Sequence, residues 1–291
     1  MELDTDLRQP YVFAQNAKGN IMKKACILVM LWAALLMACA TSPTGRRQLK
    51  LVSEDTAISA SKEAYVEMLK PYAQKGKINN DPALVKRVDT ITGRLIAQAI
   101  KMRPETKNWD WSIKIIDDPE VVNAWAMAGG KMALYTGLID KIKPTDDELA
   151  QVLGHEISHA LAKHSAEKMS VAMASSIGVL AVGVAADNKG LALGGAALAA
   201  ALAVEKPNSR AAESEADRIG IELAAKAGYD PRAAITLWQK MAKVGGQGPP
   251  QFLSTHPSPA NREKKLAEYV PEMMPYYEQK GTRPVYKLQP N

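Results

Sequence analysis

The sequence predicts a mainly α-helical α+β domain, and three observations carry that expectation. Leu149, Val152 and Leu153 recur at helical spacing and run without a breaker into His155-Glu156-Ile157-Ser158-His159. A second helical stretch covers 209–220, after Pro207 and with Asn208 or Ser209 as its cap. Between residues 121 and 137, two short apolar runs flank Gly129-Gly130, the pattern of a small hairpin. Coarser periodicity adds helices over 54–73, 82–102, 231–244 and 258–269 and a strand near 111–116. The tail from 271 to 291 carries no readable pattern.

The first of these helices has a clear start. Thr145 follows Pro144 as an N-cap, and Asp146, Asp147 and Glu148 fill the first turn, where the helix dipole favours negative charge. Ala160, Leu161 and Ala162 continue the pattern, and Lys163 and Lys168 suit a C-terminus, so the expected helix spans 146–168. Residues four apart share one helix face, which lets the imidazoles of His155 and His159 reach a single metal ion. Glu156 projects to the flank of that face, where a general base can reach the reacting water; H-E-x-x-H is the zinc-protease form of this arrangement. Two of only four histidines falling at this spacing around a glutamate argues against coincidence. His164 lies about 500° around a continuous helix from His159, off the metal face, and reads as structural.

Catalytic zinc takes three protein ligands and keeps one position open. Glu213 and Asp217 stand four apart on the second helix; Glu213 is the expected third ligand, with one Zn2+ per chain. Asp217, one turn further, is placed to accept the outer N–H of a ligating histidine and fix its tautomer. Glu215 points to another side and is expected in solvent.

HEISHALAKHSAEK, SRAAESEADRIG and the later run from Ser254 through His256 to Arg262 together resemble metallopeptidase family forty-eight. That family comprises HtpX-like and CAAX-prenyl-protease-like enzymes, and the likeness, over about 50–270, is closest to its bacterial periplasmic lipoprotein branch. The resemblance implies a gluzincin-type fold and zinc-dependent endopeptidase activity. It maps the ligands onto His155, His159 and Glu213, the base onto Glu156 and the supporting carboxylate onto Asp217. Asn123, Ala124, Trp125 and Ala126 correspond to a family stretch beside the cleft, with Trp125 in place of Phe and Ala128 in place of Pro. By resemblance this is an edge strand that holds extended substrate; by itself it is equally a hairpin completing a small sheet. His256 precedes Pro257 and is expected extended. The resemblance makes it an oxyanion stabiliser or a reversible fourth ligand that closes the site at rest, with Arg262 orienting it or binding a carboxylate. Implied substrates are unfolded or misassembled envelope proteins. The rival reading is a chaperone-like assembly factor, working with the outer-membrane assembly machinery and holding protease activity latent.

Targeting signals precede the domain. Met22-Lys23-Lys24 and the apolar run Ala25 to Ala38 have the form of a signal peptide over 22–38, and Leu36-Met37-Ala38-Cys39 resembles a lipobox. Met22 is then the better start, with 1–21 an upstream extension, Cys39 a lipidated N-terminus and 39–53 a linker to a metallopeptidase domain over 54–270. This implies a periplasmic protein anchored by lipid to the inner leaflet of the outer membrane. Cys26 leaves with the signal peptide, so no thiol remains for a disulfide. Residues 1–38 carry four basic and three acidic side chains, so the remaining chain holds about +5 of the total +6. That charge is spread through helices and leaves no footprint for nucleic acid. The Ala/Gly-rich stretch 170–204 has two arms too short to span a bilayer and reads as a helical hairpin or lid, with shallow membrane contact left open. Gly245-Gly246-Gln247-Gly248-Pro249-Pro250 is a loop suited to shifting His256.

Overall fold

The apolar stripes read from the sequence wrap one another around a helix pair, with a small sheet along its side. The computed structural model describes residues 39–184, 208–244, 250–257 and 261–288. It opens with a two-stranded antiparallel hairpin, β1 (Cys39–Thr41) and β2 (Arg47–Leu49). Helices α1 (Glu54–Ala73) and α2 (Pro82–Met102) follow, capped by the side chains of Ser53 and Asp81. A 3₁₀ turn leads to β3 (Ser112–Ile116), β4 (Ala124–Met127) and β5 (Lys131–Tyr135), and short α3 (Thr136–Ile142) continues from β5. The site helices are α4 (Asp146–Leu161) and α6 (Arg210–Lys226), separated by α5 (His164–Val184). Helices α7 (Ala233–Lys243), α8 (Gln251–Thr255) and α9 (Arg262–Tyr277) complete the described chain.

The three-stranded sheet has the order β3-β5-β4, with β3 parallel and β4 antiparallel to the central β5. Gly129 and Gly130 turn the hairpin with φ of 78° and 77°, a region closed to most side chains. A Cβ on Gly130 would also lie 2.3 Å from the Trp111 ring, so the glycine makes room for a core tryptophan. One apolar cluster joins α2, α4, α6 and α7 around Ile91, Leu95, Leu153 and Trp111. A second seats α1 on the other side of the sheet, where Tyr65 meets the Trp125 ring edge-on at 5.8 Å and donates to the Met132 carbonyl.

Three expectations change. The helix expected over 146–168 ends at Leu161, because Lys163 adopts a left-handed φ of 61° and starts α5 in a new direction. The loosened carbonyls find partners at once: Arg103 donates to Leu161 and Gln48 to Ala162. The last helix begins at Arg262 and runs through Pro271 and Pro275 to Tyr277, into the stretch that carried no pattern. Residues 39–53, expected as a linker, carry the β1–β2 hairpin and pack on α4, α5 and α6 through Gln48, Arg46 and Thr44. The signal peptide and lipobox residues before Cys39, the loop 245–249 and the second arm of the 170–204 hairpin lie outside the described residues. No helix among the described residues is long and apolar enough to cross a membrane.

Helix α4 is held at its start by a full capping box. The Glu148 amide donates to Thr145 Oγ1 at 3.2 Å, and Glu148 Oε2 accepts from the Thr145 amide at 2.9 Å. Lys240 and Thr236 of α7 donate to the same carboxylate. Burial alone raises the Glu148 carboxyl, but these hydrogen bonds outweigh it and the net shift is downward. A carboxyl held low in the folded state stabilises above its unfolded value, and that contribution disappears as pH falls through the folded value. Glu148→Gln is therefore expected to lower Tm by several degrees at pH 7, a loss of about 1.5–3 kcal/mol. The gap should shrink as pH is lowered to about 3, below the ordinary Glu value. Thermal unfolding followed by circular dichroism at both pH values checks this; an undiminished gap in acid contradicts it.

Candidate metal centre

Two helices supply most of the site, and their separation is set by glycine. A Cβ on Gly154 of α4 would lie 2.9 Å from the Gly220 carbonyl oxygen, and one on Gly220 of α6 would lie 2.9 Å from the His155 amide nitrogen. The two backbones therefore touch one residue before His155. From this contact α4 turns His155 and His159 toward α6, and α6 returns Glu213 and Asp217. All four side chains are buried.

The donor atoms converge. His155 Nε2 and His159 Nε2 are 3.1 Å apart; Glu213 Oε2 stands 3.4 Å from the first and Oε1 3.4 Å from the second. His256 enters from the end of α8 with φ −118° and ψ 74°, outside the helical region and short of the extended conformation expected before Pro257. Its Nδ1 lies 3.0 Å from Glu213 and 3.2 Å from His155. One donor atom from each of His155, His159, Glu213 and His256 lies within 4.8 Å of the other three. Glu156 borders the group, buried, with Oε1 3.3 Å from His256 Nε2 but not aligned for a hydrogen bond. Arg262 does not bond His256; its Nη2 donates to Asp217 at 2.5 Å and to Glu213 at 3.3 Å, and its guanidinium stacks 3.4 Å from the Trp238 ring centroid.

The outer face of each site histidine is also held. Asp217 accepts from His155 Nδ1 at 3.0 Å, which fixes Nε2 toward the donors. His159 Nδ1 meets His164 Nδ1 at 2.7 Å, and His164 Nε2 meets Glu215 at 3.2 Å. The expectation of a solvent-exposed Glu215 is thus overturned. The β1–β2 hairpin covers that face of α6, and Glu215 is buried beneath Thr44 and Arg46. His164 returns beside His159 because the chain breaks at Lys163, where a continuous helix would have carried it away.

Burial shapes the charges. It disfavours the imidazolium of His155, yet Asp217 and Glu213 outweigh it and hold that group up at about 9. Burial, helped by the neighbouring His155, His164 and His256 and opposed by Glu213, drives His159 well below its usual value, into the neutral form a metal binds. Glu213 resists burial through His256 and His155 and stays well below the carboxylate range. Glu156 lacks that degree of support, so burial raises it, although His256, His155 and a hydrogen bond from the Ala126 amide pull the other way.

This donor set fits zinc. Imidazole nitrogens and a carboxylate are its ordinary ligands, and the buried carboxylates Glu156, Glu213 and Asp217 face the buried guanidinium of Arg262. A dication answers that excess of negative charge and displaces the proton of His155.

Asn123 to Ala126 lie beside the same cluster. The Tyr135 amide donates to the Asn123 carbonyl at 3.1 Å, so antiparallel alternation turns Asn123, Trp125 and Met127 toward β5. The main-chain groups of Ala124 and Ala126 then face outward from edge strand β4; the Ala124 amide bonds Asn123 Oδ1 and the Ala126 amide reaches Glu156. Sequence reasoning missed Asn208, whose Nδ2 lies 3.3 Å from His256 Nδ1 and 3.5 Å from His159 Nε2. Its only signal was its place as a cap before α6. It also missed Phe252, stacked on His256 at 4.4 Å, because α8 is too short to show a period.

An H-E-x-x-H helix crossed by a glutamate-bearing helix, with a small sheet edge alongside, defines the gluzincin class of zinc metallopeptidases. Residues 82–270 match Peptidase family M48, and the chain belongs to that family. It is 34% identical to the mitochondrial metalloendopeptidase OMA1 of Schizosaccharomyces pombe over 231 residues, 79% of this chain and 65% of the relative. It is 40% identical to the protein of the same name from Arabidopsis thaliana over 160 residues, 54% of this chain and 31% of that one. It is 32% identical to the putative beta-barrel assembly-enhancing protease of Vibrio cholerae over 222 residues, 72% of this chain and 44% of the relative. The chain thus spans between 31% and 65% of the length of these relatives.

The backbone contact gives a direct test. Gly220→Ala inserts a methyl where α4 main chain stands, so the helices must part; the expected cost is about 1–3 kcal/mol. Zinc affinity should fall with it, since Glu213 and Asp217 move relative to His155. Competitive titration with a zinc chelator measures this, and unchanged affinity would show that the glycine contact does not set the donor spacing.

Proposed function

We propose that this protein is a zinc-dependent endopeptidase of the bacterial cell envelope that hydrolyses peptide bonds in misfolded or misassembled envelope proteins. The observation that carries the reading is the convergence of His155, His159, Glu213 and His256 donors within 4.8 Å beside a buried Glu156. His155, His159 and Glu213 hold the metal. Zinc bound by them lowers the pKa of water toward about 7 and polarises a carbonyl oxygen.

The remaining chemistry belongs to the chain. Glu156, its carboxyl raised by burial, accepts the proton of the attacking water as the oxygen bonds to the scissile carbon. It then passes that proton to the leaving nitrogen as the C–N bond breaks. The Ala126 amide steadies its carboxylate from the edge strand, and the outward groups of Ala124 and Ala126 suit main-chain pairing with an extended substrate. Asp217 and Arg262 keep His155 and Glu213 in orientation.

His256 fits the role of a fourth donor better than that of an oxyanion stabiliser. Its Nδ1 points at Glu213 and His155, at 3.0 and 3.2 Å. In this reading His256 restrains the site while it stays among the donors. The envelope setting draws on the lipobox at Cys39, read as the point of lipid anchoring to the outer membrane's inner leaflet, and on the names of the Vibrio cholerae and Yersinia pestis relatives. Those names, which speak of beta-barrel assembly, also favour a second reading, a chaperone-like assembly factor with latent protease activity.

Glu156→Gln is expected to keep zinc and lose cleavage of an unfolded protein by about 10²–10⁴-fold. Zinc content by atomic absorption, with N-terminal proteomics of the envelope from wild type and variant, checks both activity and substrate class. An envelope defect fully rescued by Glu156→Gln favours the assembly factor. His256→Ala should retain zinc and raise cleavage several-fold; a fall of about 10²-fold instead would identify His256 as the oxyanion donor.

A further inference from the structure

The N-terminal hairpin reaches the metal centre through a continuous hydrogen-bonded line. Arg46, in the hairpin, grips Glu167 of α5 with both terminal nitrogens at 2.7 and 2.6 Å and donates its Nε to Glu215 at 2.8 Å. Thr44 donates to the other Glu215 oxygen at 2.6 Å. Glu215 in turn faces His164 Nε2 at 3.2 Å, and His164 Nδ1 meets His159 Nδ1 at 2.7 Å. His164 and Glu215 are both buried.

With His159 binding metal through Nε2, one set of proton positions satisfies every link along this line. A histidine that binds metal through Nε2 carries its proton on Nδ1, so His159 donates and His164 Nδ1 accepts. The His164 proton then sits on Nε2 and is donated to Glu215. Glu215, already accepting from Thr44 and Arg46, has no proton to give back. Every link has one donor and one acceptor, and reversing any of them sets two donors face to face. The hairpin is fastened independently as well: Gln48 donates to the Ala162 carbonyl, and the Leu51 and Val52 amides donate to Ser170 Oγ.

We propose that His164 and Glu215 are positioning residues for the metal-binding imidazole of His159, and that Thr44 and Arg46 of the N-terminal hairpin hold them in register. The inference rests on His159 being a ligand. Its consequence is that the segment directly after Cys39 contributes to metal affinity, although it lies over 100 residues from the His159 helix in sequence.

The test uses the full chain with zinc alone and a competing chelator, followed by absorption spectra of the cobalt-substituted protein. Glu215→Gln offers an amide N–H to His164 and disturbs the tautomer line; zinc affinity should fall roughly 10–100-fold. Thr44→Val removes one hydrogen bond at an exposed residue and should shift affinity and cobalt bands less, in the same direction. Arg87→Ala, which breaks the distant pair of Arg87 with Asp146, serves as control and should stay within about twofold of wild type, as expected for an exposed pair. If Glu215→Gln fails to fold, Thr44→Val decides. Wild-type affinity and cobalt spectrum in the folded variants overturn the inference, as does an equal loss in Arg87→Ala. A wild-type protein that takes up no zinc overturns it together with the reading of His159 as a ligand.

Discussion

The metal centre depends on two backbones touching. Gly154 and Gly220 leave no room for even a methyl group between α4 and α6, and the helices come closer there than side chains permit. That contact sits next to His155, so the carboxylates two turns and one turn before Gly220 arrive opposite the imidazoles rather than beside them. The convergence of His155, His159, Glu213 and Asp217 follows from helix periodicity once this distance is set. The surrounding leucines, isoleucines and alanines bury the pair but do not decide its spacing.

Close approach carries an electrostatic cost. Glu156, Glu213 and Asp217 are withdrawn from water within one cluster, and a buried charge stabilises nothing unless it is answered. Arg262 answers part, bonded to Asp217 and Glu213 and laid flat on Trp238. The half-buried Lys168 ammonium feels the same carboxylates, but burial wins and lowers it to about 8. What remains is a negative hollow lined by nitrogen and oxygen lone pairs, which a divalent cation satisfies and a proton satisfies less fully. Folding and metal binding are therefore linked, because the donor set exists only when α4 and α6 are packed.

Much of this was legible from local patterns. The H-E-x-x-H spacing, the Glu213–Asp217 pair, the Thr145 cap and the Gly129-Gly130 turn each state their geometry within a few residues, where helix and hairpin periods hold. What escaped depends on contacts distant in the chain. Glu215 looked solvated because nothing near it announces a hairpin 169 residues earlier. His164 looked misplaced because Lys163, an ordinary helix residue, adopts a left-handed backbone whose compensation comes from Gln48 and Arg103. Asn208 showed only as a cap, since its side chain gains meaning from His256 48 residues away.

His256 differs from the other donors in how it is held. His155 and His159 are fixed by a sixteen-residue helix and Glu213 by a seventeen-residue one, whereas His256 hangs from the end of five-residue α8. That short helix has two main-chain ties: its Phe252 amide to the Val122 carbonyl and its Thr255 carbonyl to the Asn208 amide. Val122 leads directly into the edge strand, and Asn208 leads directly into the Glu213 helix. His256 is therefore anchored at two places, one at the edge of the small sheet and one at the helix that carries Glu213. The same five residues thus join the chain entering the edge strand to the chain entering the Glu213 helix, with His256 at their end.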